Sequence, residues 1–125
     1  MYEYRCEIVK IIDGDTVDVD IDLGFGVWMR NERIRLFGID TPESRTRDLE
    51  EKKYGLAAKD FLTKWLEAGN ITLKTQKDAE GKFGRILGEL WYNDVNINQK
   101  MVSEHHAVAY HGQSKDEIVS EHLHN

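Results

Sequence analysis

Cysteine is nearly absent from this 125-residue chain. Cys6 stands alone, so neither an intramolecular disulfide nor a cysteine metal cluster can be built, and a buried place in a strand is expected for it. Long hydrophobic runs are missing too. No apolar stretch approaches the roughly 20 residues that cross a bilayer, and the opening Met-Tyr-Glu-Tyr-Arg-Cys-Glu is too charged for the core of a signal peptide. A cytoplasmic protein without membrane contact is the expectation. Positive charge is also short: 17 Lys and Arg face 23 Asp and Glu, a net charge of −6. That balance argues against a protein that coats nucleic acid nonspecifically, because such binding neutralises phosphates with Lys and Arg. The acid is concentrated early, with 7 basic against 12 acidic residues in 1–50 and 10 against 11 in 51–125, so a local basic cleft stays compatible with it. Repeats, low-complexity stretches, linkers, a Gly-x-Ser-x-Gly elbow and a Gly-Lys-Ser/Thr phosphate loop are all lacking.

What is present is a soluble, globular composition, 40% hydrophobic and 32% charged, of a size that suits one domain over residues 1–125. Residues 4–12 are short and β-branched and end at Asp13-Gly14-Asp15, which predicts a strand and a hairpin turn. Residues 16–22 alternate, with Val17, Val19 and Ile21 on one face and Asp18, Asp20 and Asp22 on the other. A glycine-containing connection leads to a third strand near 28–39, ended by Asp40-Thr41-Pro42-Glu43. From Tyr54 to Ala68 the period becomes helical, with Gly69 as the stop. Two strands follow at 70–76 and 85–92, joined by a polar turn over 77–82, and helices are predicted near 97–105 and 114–123. Three strands, a helix, two strands and one or two more helices give a mainly β, α+β fold. Its architecture is a five-stranded antiparallel barrel of the oligonucleotide/oligosaccharide-binding type with two to three packed helices.

Three clusters could carry chemistry. Asp15 shares strand parity with Val17, Val19 and Ile21, so a carboxylate falls on the apolar side at one mouth of the barrel, although Asp13-Gly14-Asp15 also reads as plain turn chemistry. Arg35, Asp40, Thr41 and Glu43 crowd into nine residues at a strand end. Two carboxylates beside a main-chain carbonyl suit a hard divalent cation, leaving a carboxylate for base work and a guanidinium for phosphate; the same residues also form an ordinary turn. In Lys82-Phe83-Gly84-Arg85 the glycine lets a phosphate approach and the arginine offers a fork, or the segment is a hairpin turn with a surface arginine. Asp18-x-Asp20-x-Asp22 is not a calcium loop, since Leu23 and Met29 stand where that loop needs Gly and Glu, and a solvated strand face is expected.

In this order and spacing, Ile12-Asp13-Gly14-Asp15-Thr16-Val17, Arg35-Leu36-Phe37-Gly38-Ile39-Asp40-Thr41-Pro42-Glu43, Tyr54-Gly55 and Lys82-Phe83-Gly84-Arg85 resemble the staphylococcal nuclease (thermonuclease) family from about Ile8 to Tyr110. The resemblance implies a five-stranded barrel packed with helices, and a metal-dependent nuclease that hydrolyses DNA or RNA with little sequence preference and leaves 3′-phosphate ends. It implies that Asp15, Asp40 and the carbonyl of Thr41 bind Ca2+, with Mg2+ or Mn2+ as substitutes, and that Asp13 orients that shell. Glu43 would align or deprotonate the attacking water. Arg35 and Arg85 would hold the scissile phosphate, and Lys82 and Tyr110 would bind a terminal phosphate and nucleotide. Contacts to phosphate rather than base edges accommodate both substrates, and a cleft of this kind favours an unstacked single strand. A monomer is expected. Against the family pattern, Val102-Ser103-Glu104-His105-His106-Ala107 lacks the glycine that ends the second helix, the chain stops at Asn125 without a Trp-containing end, and it is acidic. The histidines His105, His106, His111, His122 and His124 read as surface residues or as a second metal site. The alternative function is a noncatalytic nuclease-like module that binds nucleic acid or a protein.

Overall fold

The computed structural model describes residues 2–44, 46–80 and 86–109. Strand β1 (Tyr2–Asp13) pairs antiparallel with β2 (Thr16–Gly24) and β5 (Ile71–Glu80), β2 pairs with β3 (Val27–Leu36), and β5 pairs with β6 (Ile86–Tyr92). A short parallel ladder, Ile34↔Ile86 to Leu36↔Gly88, joins β3 to β6 and closes five strands into a barrel. The closure is thus mixed rather than wholly antiparallel, because the chain crosses the barrel through a helix before returning beside β3.

The alternation read from residues 16–22 sets the interior. Val17, Val19 and Ile21 of β2 face inward with Ile34 and Leu36 of β3, Ile71 and Leu73 of β5 and Leu90 of β6, all buried. Helix α1 (Leu49–Leu66) adds Ala58, Leu62 and Leu66, and α2 (Ile97–Ser103) adds Ile97 and Met101. A fully enclosed leucine such as Leu62 contributes enough that truncation to Ala costs roughly 2 to 5 kcal/mol. Cys6 is buried as expected, and burial pushes its thiol up to about 12.

Several boundaries differ from the expectation. The third strand stops at Leu36 because Gly38 turns the chain at φ +80°, and Ile39–Asp40 starts afresh as β4. Helix α1 begins five residues before Tyr54: Asp48 caps it, accepting from the N–H groups of Glu50 and Glu51. Its first turn is polar apart from an exposed Leu49, so no apolar period announces it. β5 runs on to Glu80, which pairs with Ile86, where a turn was expected. Two short strands were not foreseen, β7 (Val95–Asn96) beside β6 and β8 (Val108–Ala109) beside β4. Helix α2 ends at Ser103, and the corner without glycine is made by His105 itself, which takes φ 64° while the N–H of His106 reaches back to the Met101 carbonyl. The helix expected at 114–123 lies outside the described residues, as do His111, His122 and His124.

Candidate active site

One end of the β2–β3 ladder gathers the first two clusters. Thr16 opens β2 opposite Arg35 of β3, which brings the preceding turn, with Asp15, against the arginine. The main chain seals that turn, since the N–H of Leu36 donates to the Asp15 carbonyl at 2.8 Å. Beyond the Gly38 turn, β4 carries Asp40 back to the same guanidinium, and β8 holds it there through Asp40↔Val108. Arg35 lies 3.4 Å from Asp15 through Nη1 and donates from Nη2 to Asp40 at 3.0 Å. Its Nη1 also donates to the Leu36 carbonyl at 3.1 Å.

Asp15 is 8% exposed and accepts from the Thr16 hydroxyl at 2.9 Å and the Thr41 N–H at 3.1 Å. Burial pushes its carboxyl up from the ordinary value and Arg35 pulls it back; the nearby Asp40 charge pushes it up again, and the two hydrogen bonds oppose. Two carboxylates, Asp15 buried and Asp40 partly so, thus share one guanidinium. The Thr41 hydroxyl oxygen beside them is buried and has no hydrogen-bond partner among the described residues. Two clustered carboxylates beside a buried hydroxyl oxygen are the donor types that a hard divalent cation takes. Among the described residues no three His, Cys, Asp or Glu side chains converge, so main-chain or hydroxyl oxygen would have to complete the set.

Asp13 sits one step further out. Its carboxylate accepts from the Ser44 N–H at 3.1 Å and from the Ser44 hydroxyl, so the bonds it makes tie down the loop that carries Glu43. Glu43 itself is exposed while Thr41, Pro42 and Ser44 around it are buried. The structure therefore brings together Asp13, Asp15, Arg35, Asp40, Thr41 and the Glu43 loop. Lys82, Arg85 and Tyr110 lie outside the described residues.

The aspartates of β2 are less solvated than expected. Asp18 is buried beneath a two-pronged contact from Arg33, at 2.8 and 3.1 Å, and Asp20 accepts from Arg30 and from the Asn31 N–H. His106 stacks on Phe61 with ring centroids 4.5 Å apart, and burial draws its pKa below the usual histidine value.

Two contributors had gone unnoticed. Ser44 anchors the Glu43 loop, and Asn98, almost wholly buried, accepts from the Leu90 N–H and donates to the carbonyls of Phe37 and Gly88. Asn98 thereby fixes the turn between Arg35 and Asp40. In sequence it is one polar residue in the run Asn93–Gln99, and only its place between Ile97 and Met101 on α2 marks it.

The family of staphylococcal nuclease homologues matches residues 33–124. A thermonuclease of Staphylococcus intermedius is 34% identical over 97 residues, covering 78% of this chain and 54% of its own length. A thermonuclease of Staphylococcus hyicus is 29% identical over 102 residues, 82% of this chain and 57% of its own. Protein ParB of Escherichia coli is 35% identical over 125 residues, 91% of this chain and 63% of its own. The chain thus spans little more than half the length of these thermonucleases.

Proposed function

The chain belongs to the family of staphylococcal nuclease homologues, and we propose that it is a divalent-cation-dependent nuclease acting on the phosphodiester backbone of DNA or RNA. The observation that carries this is the Asp15–Arg35–Asp40 cluster, in which two carboxylates share one guanidinium next to a buried Thr41 hydroxyl oxygen that has no hydrogen-bond partner among the described residues. A cation held by Asp15, Asp40 and the main-chain carbonyl of Thr41, Ca2+ with Mg2+ or Mn2+ as substitutes, would supply charge to polarise a nonbridging phosphate oxygen.

The chain's own groups do the rest. Arg35 exchanges a carboxylate partner for a phosphate oxygen and, with Arg85, clamps the charge that accumulates on phosphorus. Glu43 orients a water in line with the leaving oxygen and takes its proton as the new P–O bond forms. The P–O5′ bond then breaks, the 5′ oxygen gains a proton, and a 3′-phosphate end remains. Lys82 and Tyr110 add contacts to the terminal phosphate and nucleotide. Because phosphate is the handle, base sequence has little influence, and an unstacked single strand is cut faster than a stable duplex.

The test is purified protein on single-stranded DNA, duplex DNA and RNA with Ca2+, Mg2+, Mn2+ or chelator. Cation-dependent cleavage that is fastest on single strands is expected, with 3′-phosphate termini on the products. Full activity in excess chelator refutes the cation, and faster cutting of a duplex than of its isolated strand refutes the cleft.

A further inference from the structure

Glu43 combines an exposed side chain with a buried main chain around it. The backbone at this residue fixes where its side chain starts, so moving that backbone moves the carboxylate. That backbone is held from two sides. On one side Asp13 accepts both the N–H and the hydroxyl of Ser44. On the other, α1 presses Gly55 against it: a Cβ at position 55 would lie 2.4 Å from the carbonyl carbon and oxygen of Glu43 and 2.6 Å from the Ser44 nitrogen. Real Cβ atoms essentially never come closer than 3.0 Å to such neighbours.

Gly55 lies inside a helix, where glycine is a poor choice, and its φ is not in the left-handed region. Backbone conformation therefore gives no reason for it; proximity to Glu43 does. One turn later the contact repeats between the helix and the other loop, since a Cβ on Gly14 would lie 2.8 Å from the Ala58 Cβ and 3.1 Å from Thr41 Cγ2. Helix α1 thus bears on both loops that carry the site.

We propose that Gly55 and the Asp13–Ser44 hydrogen bonds form a main-chain clamp that aims the Glu43 carboxylate at the phosphodiester, with Gly55 a positioning residue. The proposal rests on the role given to Glu43 above. Adding one methyl at position 55 displaces the Glu43 peptide while leaving Asp15, Arg35 and Asp40 in place, so the water-activating step suffers and cation binding does not.

The experiment compares the full chain with Gly55→Ala, Ser44→Ala, Glu43→Gln and the two double variants. It measures kcat and KM on a single-stranded oligodeoxynucleotide, Ca2+ affinity by titration calorimetry with the metal alone, and melting temperature. Gly55→Ala is expected to lower kcat by about 10- to 100-fold, with KM and Ca2+ affinity within about threefold of the parent. In the Glu43→Gln background the same change should alter kcat by less than about twofold, because the group being aimed is already disabled. Ser44→Ala loosens the same peptide without adding an atom and should show the same non-additivity, so the test survives if Gly55→Ala fails to fold. Equal fold losses in both backgrounds, or Ca2+ affinity falling in parallel with kcat, overturn the clamp. Unchanged turnover in Glu43→Gln alone overturns the role of Glu43, and the clamp with it.

Discussion

At the outer end of the β2–β3 ladder each aspartate has an arginine of its own, Asp18 with Arg33 and Asp20 with Arg30, whereas at the inner end Asp15 and Asp40 share Arg35. The ingredients are the same, but the first two pairs join β2 to β3 whereas Asp15 stands in the turn before β2 and Asp40 on β4. The outer pairs balance in number and lean on solvent, with Arg30 and Arg33 about half exposed or more. In the inner group two carboxylates meet one arginine that is itself drawn in, with the Arg35 side chain 15% exposed, while the carboxylates are about as covered in either group. A one-to-one pair at a surface needs nothing further. Two carboxylates drawn to one largely covered guanidinium make a denser acidic cluster, the kind of oxygen-donor set that a bound divalent cation would suit.

The hardest blow to this contrast is Asp40→Ala, which removes one of the two sharing carboxylates and is expected to reduce cation-dependent turnover to background while the barrel stays folded by circular dichroism. Arg35→Lys keeps the charge but loses the planar fork, so turnover should fall by roughly 100-fold or more with Ca2+ affinity little changed. Retention of near parental turnover at saturating metal and substrate would mean that Arg35 is not the phosphate clamp.

Next in size is stabilisation by the cation itself. Ca2+ at about 100 times its dissociation constant should add roughly 2.7 kcal/mol to unfolding stability, read as a rise in melting temperature that Asp40→Ala removes. An equal rise in Asp40→Ala would place the binding elsewhere. The outer end should answer differently: Asp18→Asn should leave turnover unchanged and reduce stability by up to about 1 kcal/mol. A loss of activity there would erase the distinction between the two ends.

The smallest expected effect concerns pH. The hydrogen bond from Arg33 holds the Asp18 carboxyl below its ordinary value, and the Asn31 N–H does the same for Asp20. Depressed folded values mean that their stabilisation is present above about pH 4 and is lost as pH falls through the folded values. Denaturant titrations between neutral and acid pH should therefore show a shallower decline in an Asp18→Asn/Asp20→Asn variant than in the parent. Identical slopes would show that neither pair couples to folding.

The barrel was legible because the alternation of Val17, Val19 and Ile21 and the helical spacing of Ala58, Leu62 and Leu66 are direct imprints of burial. Asp15 was legible for the opposite reason, a charge where the pattern demands an apolar residue. The start of α1 was not, although Asp48 with Glu51 three residues on is a capping signature, because its first turn buries nothing. Asn98 and Ser44 act through main-chain groups distant in sequence, and no periodicity records a hydrogen bond to a carbonyl 61 residues away. The one-to-one pairing of Asp18 with Arg33 was hidden in the same way, since it depends on the register between two strands.

The pairing of β4 with β8 ties residue 40 to residue 108, and so sets when the site can exist during synthesis. Asp15, Arg35 and Asp40 leave the ribosome early, but the strand that steadies Asp40 is among the last described residues to appear. Bringing those ends together closes a loop of nearly 70 residues, an entropic cost met only when the intervening helix and barrel strands have packed. On a nascent chain the two carboxylates can be made long before they are locked side by side. Assembly of the cluster is therefore a late event in the life of each molecule, arriving with the closing strand and not with the residues that compose it.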